Sequence, residues 1–246
     1  MIGLVLAAGW GSRLGELTAK LPKTLLEVRD GQSILDSTLA NLRAAGLDEV
    51  AVVTGYAAER IEEQVPRLEE RHGLKLRLIF NEKALEWNNC YSLWVAREQF
   101  EQGVLLVNGD TVHPPVVEER VLAARGPQLL LATDTEKKLG EEEMKVVLAA
   151  DGRLERITKL MPAESAHGEY IGVTVIEPAV AGALADALET TWKRDPGLYY
   201  EDGFQELVDR GGEVRTAPIG KVDWVEVDSP EDYARAKSIA ARWPAR

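Results

Sequence analysis

Ile2-Gly3-Leu4-Val5-Leu6-Ala7-Ala8-Gly9-Trp10-Gly11-Ser12-Arg13-Leu14-Gly15 divides into two parts, and the architecture follows from that division. Residues 2–8 are an unbroken apolar run with Val and Ile, the pattern of a strand buried on both faces, as in a parallel sheet. Glycines then punctuate a loop that carries one arginine. Further along, Ser33-Ile34-Leu35-Asp36 sets an N-cap serine three residues before an acid, and Gly46 closes the helix so begun. Val50 to Thr54 reads as the next strand. A helix from about Ala57 to His72, a strand from Lys75 to Phe80, a helix starting near Tyr91 and a strand from Val104 to Val107 continue the alternation. Such alternation predicts a parallel sheet with helices on both faces.

The second half changes character. Apolar runs at Gln128 to Thr133, Lys145 to Leu148, Leu154 to Ile157 and Tyr170 to Ile176 are short, and Asp151-Gly152 between two of them signals a hairpin. Helices are expected near Pro178 to Leu188 and Asp202 to Arg210, then strands at Val214 to Pro218 and Trp224 to Val227. Ser229-Pro230-Glu231-Asp232 caps the last helix, with Ser at N-cap, Pro at N1 and an acid at N3. With no internal repeat and no low-complexity linker, residues 1–246 read as one α/β domain with a mixed, mostly parallel central sheet. Its later half adds a smaller β insertion that forms a lid or pocket.

The chain has 246 residues with 29 Lys plus Arg against 41 Asp plus Glu, a formal net charge of −12. A sequence-independent grip on nucleic acid needs clustered cations to displace counterions, so no nucleic-acid partner is expected. Cys90 is the single cysteine, which excludes an intrachain disulfide, and no Cys/His set has zinc spacing. Cys90 is expected to be a buried small hydrophobe. The start lacks a basic leader, and no run approaches the ~20 apolar residues of a membrane helix, so a cytoplasmic location without membrane contact is expected.

The glycine loop follows the first strand, where an open α/β sheet places its ligands. Glycines there let backbone N–H groups approach phosphate oxygens. A dinucleotide fingerprint is excluded because Leu14 stands where its third glycine belongs and Thr54-Gly55-Tyr56 follows the second strand. A Walker A loop is excluded because Lys23-Thr24 follows Pro22 rather than glycine. What remains is Arg13, a guanidinium fork suited to phosphate oxygens, and Lys23, a point charge stiffened by Pro22. Asn108-Gly109-Asp110 ends an apolar strand, and Asp228 lies between a strand and a capped helix. Two acids at strand ends suit a Mg²⁺–nucleotide complex, which takes one or two carboxylates plus phosphates. Taken alone, the residues leave open that Asp110 forms a turn and that Asp228 serves the helix dipole.

Leu-Ala-Ala-Gly-x-Gly-x-Arg at residues 6–13, followed by Pro22-Lys23-Thr24-Leu25, resembles the sugar-phosphate-type nucleotidyltransferases. Asn81-Glu82-Lys83 and Asn88-Asn89-Cys90-Tyr91-Ser92-Leu93 resemble their bacterial CTP:phosphocholine cytidylyltransferase branch. The likeness extends over nearly the whole chain and is weakest from about Pro114 to Gly140. It implies a Rossmann-like α/β/α sandwich, with residues 1–110 as the nucleotide-binding half and 111–246 as the acceptor-binding half. It also implies nucleotidyl transfer: an ionised phosphate or phosphonate oxygen attacks the α-phosphorus of CTP in line and pyrophosphate leaves. Lys23 and Arg13 would be catalytic through positioning and charge, with Mg²⁺ on Asp110 and Asp228. The nucleotide would lie against Leu6, Ala7, Ala8, Gly9, Gly11, the turn Thr54-Gly55-Tyr56, Asn88, Asn89, Ser92 and Gly109. His72, His113 and His167 receive surface or packing roles.

For the acceptor, the resemblance points to Lys145, Lys159, Glu169, Tyr199, Tyr200, Asp202, Trp224 and Glu226. Aromatic rings beside carboxylates suit a cationic headgroup. Strand periodicity puts Trp224, Glu226 and Asp228 on one face. The acceptor is expected to be small and phosphocholine-like or aminoethylphosphonate-like. Inositol-1-phosphate, or a sugar-1-phosphate with another NTP, is the alternative, and a non-catalytic nucleotide-sensing domain is the reading from a different class. The chain is expected to be a monomer or homodimer.

Overall fold

The computed structural model describes residues 1–126 and 128–243. β1 (Ile2–Ala7) leads through the glycine loop into a hairpin of β2 (Glu27–Arg29) and β3 (Gln32–Ser33), then α1 (Ile34–Ala44), β4 (Glu49–Thr54), α2 (Ala58–Glu62), α3 (Val65–His72) and β5 (Lys75–Phe80). α4 (Asn89–Val95), β6 (Val104–Asn108), β7 (Thr111–Val112), α5 (Val116–Ala123) and β8 (Leu129–Asp134) follow. β9 (Lys145–Leu148), β10 (Leu154–Thr158), β11 (Gly168–Ile176), α6 (Ala181–Arg194), α7 (Tyr200–Asp209), β12 (Val214–Pro218), β13 (Val225–Glu226) and α8 (Pro230–Ala240) complete the fold.

Among the described residues, nine strands form the central sheet, with the main order β10-β9-β11-β6-β1-β4-β5. β6, β1, β4 and β5 run parallel, β11 joins β6 antiparallel, and β8 pairs with both β11 and β12. Alternate side chains of β1 point to opposite faces, as a strand period of two requires. Leu4 joins a core with Leu93, Leu184, Leu188 and Phe204 from α4, α6 and α7. Val5 joins another with Leu35, Leu39, Leu68 and Val117 from α1, α3 and α5. The result is the expected mixed, mostly parallel Rossmann-like sandwich.

The cap signals hold. Ser33 and Asp36 exchange hydrogen bonds as a capping box, as do Ser229 and Asp232. The hairpin at Asp151-Gly152 joins β9 to β10, with Gly152 at φ 79°. Several boundaries differ. The single helix expected from Ala57 to His72 is two, α2 and α3, because Pro66 near the start of α3 has no N–H to continue the ladder. The helix expected near Tyr91 starts at Asn89, because Asn88 supplies the N-cap oxygen. α6 runs on to Arg194, and α7 starts at Tyr200 rather than Asp202.

Candidate active site

The C-terminal ends of β1 and β6 meet at one cleft. Gly109 donates its N–H to Leu6 O at 2.9 Å, and a Cβ on Gly109 would stand 2.4 Å from that oxygen, so only glycine lets the two strand ends close. The loop after β1 turns at Gly11, in the left-handed region at φ 70°, and the Thr18 hydroxyl donates to Gly11 O. A Cβ at Gly11 would also press on the Lys23 stem at 3.1 Å. The loop thus folds back over Lys23, which Pro22 delivers in extended conformation.

Lys23 Nζ lies 2.7 Å from Asp110 and 2.8 Å from Asp228, with only 12% of its side chain exposed. Arg13, exposed at 67%, reaches Asp228 at 2.8 Å. A two-residue pairing brings these carboxylates together: β7, directly after Asp110, runs antiparallel to β13, with Glu226 opposite Thr111, and Val227 N–H donates to Asp110 O. Glu226, expected on the acceptor side, therefore joins Asp110 and Asp228, and one oxygen from each lies within 4.8 Å of the others. Asp110 Oδ1 is buried without a hydrogen-bond partner.

The charges respond to one another. Burial alone would lower the Lys23 ammonium, but Asp110 and Asp228 outweigh it and hold it above its ordinary value. For Asp228, burial opposes ionisation, and Lys23 and Arg13 overcome this to lower it. Enclosure, and then the charges of Asp110 and Asp228, push the Glu226 carboxyl up. Three clustered carboxylates, one with an orphaned oxygen, form an oxygen donor set of the kind Mg²⁺ takes.

A cavity of about 350 Å³ brings together Leu6, Ala7, Ala8, Gly9, Gly11, Arg13, Lys23, Asn88, Asn89, Ser92, Gly109, Asp110, Lys159, Tyr199, Glu226 and Asp228. Thr54, Gly55 and Tyr56 stand behind this wall. Gly55 is packed against Ala8, Tyr56 N–H donates to Ala8 O, and the Tyr56 hydroxyl donates to Thr18 O and Ala19 O, bracing the glycine loop. An adjoining cavity of about 550 Å³ shares Arg13, Lys159, Glu226 and Asp228 with the first and adds Asp134, Lys137, Glu143, Glu169 and Trp224. Trp224, Glu226 and Asp228 line one space, though Val225 lines it too and only Val225 and Glu226 are strand, so alternation along a strand is not what gathers them.

Three acceptor-side expectations are corrected. Lys145 is fully buried, and its ammonium donates to Glu141 O, Glu143 O and Lys159 O at 2.7, 3.2 and 2.9 Å. It holds the wall in shape and is not available to a ligand. Tyr200 is a core residue whose hydroxyl donates to Asn108 Oδ1 at 2.8 Å and to the Tyr170 hydroxyl at 3.1 Å. Tyr199, one step earlier and 39% exposed, faces the cleft instead, with Lys159 Nζ 5.3 Å from its ring centroid. Asp202 caps α7 by accepting the Tyr199 N–H at 2.8 Å and does not line the cleft.

Sequence reasoning assigned no site role to Asn108 or Lys137. Asn108, Tyr170 and Gly172 form part of the floor, where β6 crosses to β11. Lys137 lies 2.7 Å from Glu169 and 3.3 Å from Glu143, in the stretch where the resemblance was weakest. Burial pushes the Glu169 carboxyl up to about 6 despite Lys137. Glu201 is buried with Oε2 unpartnered, and burial raises it to about 7. The histidines stay outside: His113 is buried and lowered to about 4 by that burial, and His72 meets Asp36. Cys90 is buried, as expected. Among the described residues, no helix is long and apolar enough to cross a membrane.

The model of the MobA-like NTP transferase domain matches residues 3–193. The chain belongs to this family. It is 31% identical over 255 residues to an N-acetylmuramate alpha-1-phosphate uridylyltransferase of Caulobacter vibrioides, covering 98% of this chain and 97% of that one. It is 32% identical over 244 residues to a CMP-5'-(3-aminopropyl)phosphonate synthase of Streptomyces rubellomurinus, covering 95% of this chain but 38% of that protein. The chain spans about half or less of the length of several curated relatives it matches. Among solved structures, the CTP:phosphocholine cytidylyltransferase of Streptococcus pneumoniae superposes with a TM-score of 0.75 at 21% identity, covering 97% of this chain and 98% of that one, which shows the shared fold.

Proposed function

We propose that the domain is a Mg²⁺-dependent cytidylyltransferase that moves CMP from CTP to a small phosphate or phosphonate acceptor and releases pyrophosphate. The observation that carries this reading is the convergence of Arg13, Lys23 and the Asp110, Glu226, Asp228 cluster at the ends of β1 and β6. The relatives that name cytidylyl products or acceptors support the base and the acceptor class.

Asp110 and Asp228, with Glu226 beside them, would hold the metal, which supplies charge neutralisation to the triphosphate. Lys23 sits within reach of the same carboxylates and so is placed to face phosphate oxygens that gain charge in the transition state. Arg13 projects from the loop with most of its fork exposed, suited to two oxygens at once. An acceptor phosphate or phosphonate is already ionised near neutral pH, so no general base is required, in keeping with histidines that lie outside the cleft. Leu6, Ala7, Ala8, Asn88, Asn89 and Ser92 form the wall for the nucleoside.

The test is a pyrophosphate-release screen that crosses four NTPs with phosphocholine, aminoalkylphosphonates, inositol-1-phosphate and hexose-1-phosphates, with and without Mg²⁺. CTP with a small acceptor is the expected productive pair. The near full-length likeness to a uridylyltransferase makes UTP with a sugar-1-phosphate the rival outcome, and release with that pair alone would overturn the cytidylyl reading. Nucleotide binding without release for any acceptor would mark a sensing domain.

A further inference from the structure

Lys137 leaves β8 on residues 135–144, a segment without helix or strand, and its ammonium ends in a box built from the far end of that segment and from β11 and the flank of β13. Glu169 Oε2 of β11 lies 2.7 Å away and Glu143 Oε1 3.3 Å away, and the ring centroid of Trp224, beside β13, lies 5.2 Å from Nζ. Asp134 fixes the parts. One oxygen accepts the Trp224 indole N–H at 2.7 Å, and the other accepts the backbone N–H groups of Glu136 and Lys137. Glu143 shares the loop with Lys137, while Asp134 and Glu169 stand on strands and Trp224 beside one, so most of the box stays in place without Lys137.

The box opens into the cavity that contains Arg13, Glu226 and Asp228, so an acceptor on a short stem could reach both places. Its chemistry selects one kind of cation. Two carboxylates at hydrogen-bond distance require N–H donors, which a primary ammonium has and a trimethylammonium lacks. A single ring contributes cation–π attraction but does not surround a quaternary head. Resting on the acceptor reading above, we propose that Lys137 is the resident occupant of a seat for a primary ammonium. The amine of an ω-amino phosphonate or phosphate acceptor displaces it, and Lys137 thereby sets how strongly amine-bearing acceptors are preferred.

Two readouts test this. The first compares 3-aminopropylphosphonate with propylphosphonate as acceptors. In Lys137→Ala, and equally in Lys137→Gln should the first variant fold poorly, the kcat/KM ratio of the amine to the amine-free acceptor is expected to rise about tenfold or more, since one bound ion no longer competes. Glu169→Gln should lower the ratio. The second needs neither CTP nor metal: ethylammonium should change tryptophan fluorescence saturably in the Lys137 variants at about tenfold lower concentration than in the unaltered protein. Tetramethylammonium should not, and a Trp224→Phe background should abolish the signal. An unchanged ratio together with equal ethylammonium responses in the two proteins would overturn the proposal. A protein that turns over no acceptor but still shows the ethylammonium difference would instead fault the transferase reading alone.

Discussion

Lys23→Met keeps the aliphatic stem and removes only the charge that sits between two acids. Its ammonium is 2.7 and 2.8 Å from Asp110 and Asp228, and removing it leaves three carboxylates with oxygens within 4.8 Å of one another. Taking one partner from a buried ion pair costs about 3–5 kcal/mol. Here the carboxylates are 23% and 24% exposed, so screening trims the expected loss to about 2–3 kcal/mol. For a domain of this size that lowers Tm by roughly 4–12 °C. Because the Lys23 pKa is raised on folding, its stabilising effect is complete below the unfolded lysine value and is lost only as pH rises through the folded one. The gap between the two proteins should therefore be full at neutral pH. Thermal unfolding followed by circular dichroism in chelator, then in Mg²⁺, is the assay. Mg²⁺ should raise Tm more in the variant than in the unaltered protein, since the ion neutralises the same oxygens, and pyrophosphate release should fall by about 10²–10³-fold. Equal Tm values in chelator, with equal responses to Mg²⁺, would refute the reasoning.

Lys145→Met should destabilise the fold by roughly 3 kcal/mol in denaturant titration by stranding three backbone carbonyls, whereas Lys159→Met, at the cleft, should act on acceptor KM instead. Glu201→Gln should leave stability unchanged near pH 4 but raise it by about 3 kcal/mol above pH 7. The native carboxyl is raised to about 7, so its ionisation destabilises the fold progressively as pH climbs from the unfolded value of 4.5; a pH series of melting curves decides this. Asp110→Asn should weaken Mg²⁺ binding by calorimetry and abolish metal-dependent turnover, and metal affinity equal to that of the unaltered protein would remove Asp110 from the ligand set.

What was legible in the sequence was whatever local pattern controls. The apolar run before Gly9 and the capping boxes at Ser33 and Ser229 marked the sheet and its helices, while only the family resemblance gathered Arg13, Lys23, Asp110 and Asp228, which the structure brings to one cleft. What was hidden depends on contacts far apart in the chain. Lys145 is a scaffold only because residues 141, 143 and 159 turn their carbonyls toward it. Tyr199 and Tyr200 differ by a single step at a helix start, and that step sends one ring to the cleft and the other to the core. Glu226 meets Asp110 through a pairing of two residues, too short to leave a periodic trace.

The pairing of β6 with β11, from Val107 opposite Val173 to Val104 opposite Ile176, has a mechanical consequence. It welds the strand that leads into Asp110 to the strand that carries Glu169, so the two sides of the cleft are parts of one plate and cannot swing apart as jaws. Breathing of the cleft falls to the segments draped over that plate: the glycine loop with Arg13, and residues 135–144. Cutting the chain between the halves would expose the β6 edge and one side of the apolar interior. Split fragments of this domain should therefore clump rather than reassemble.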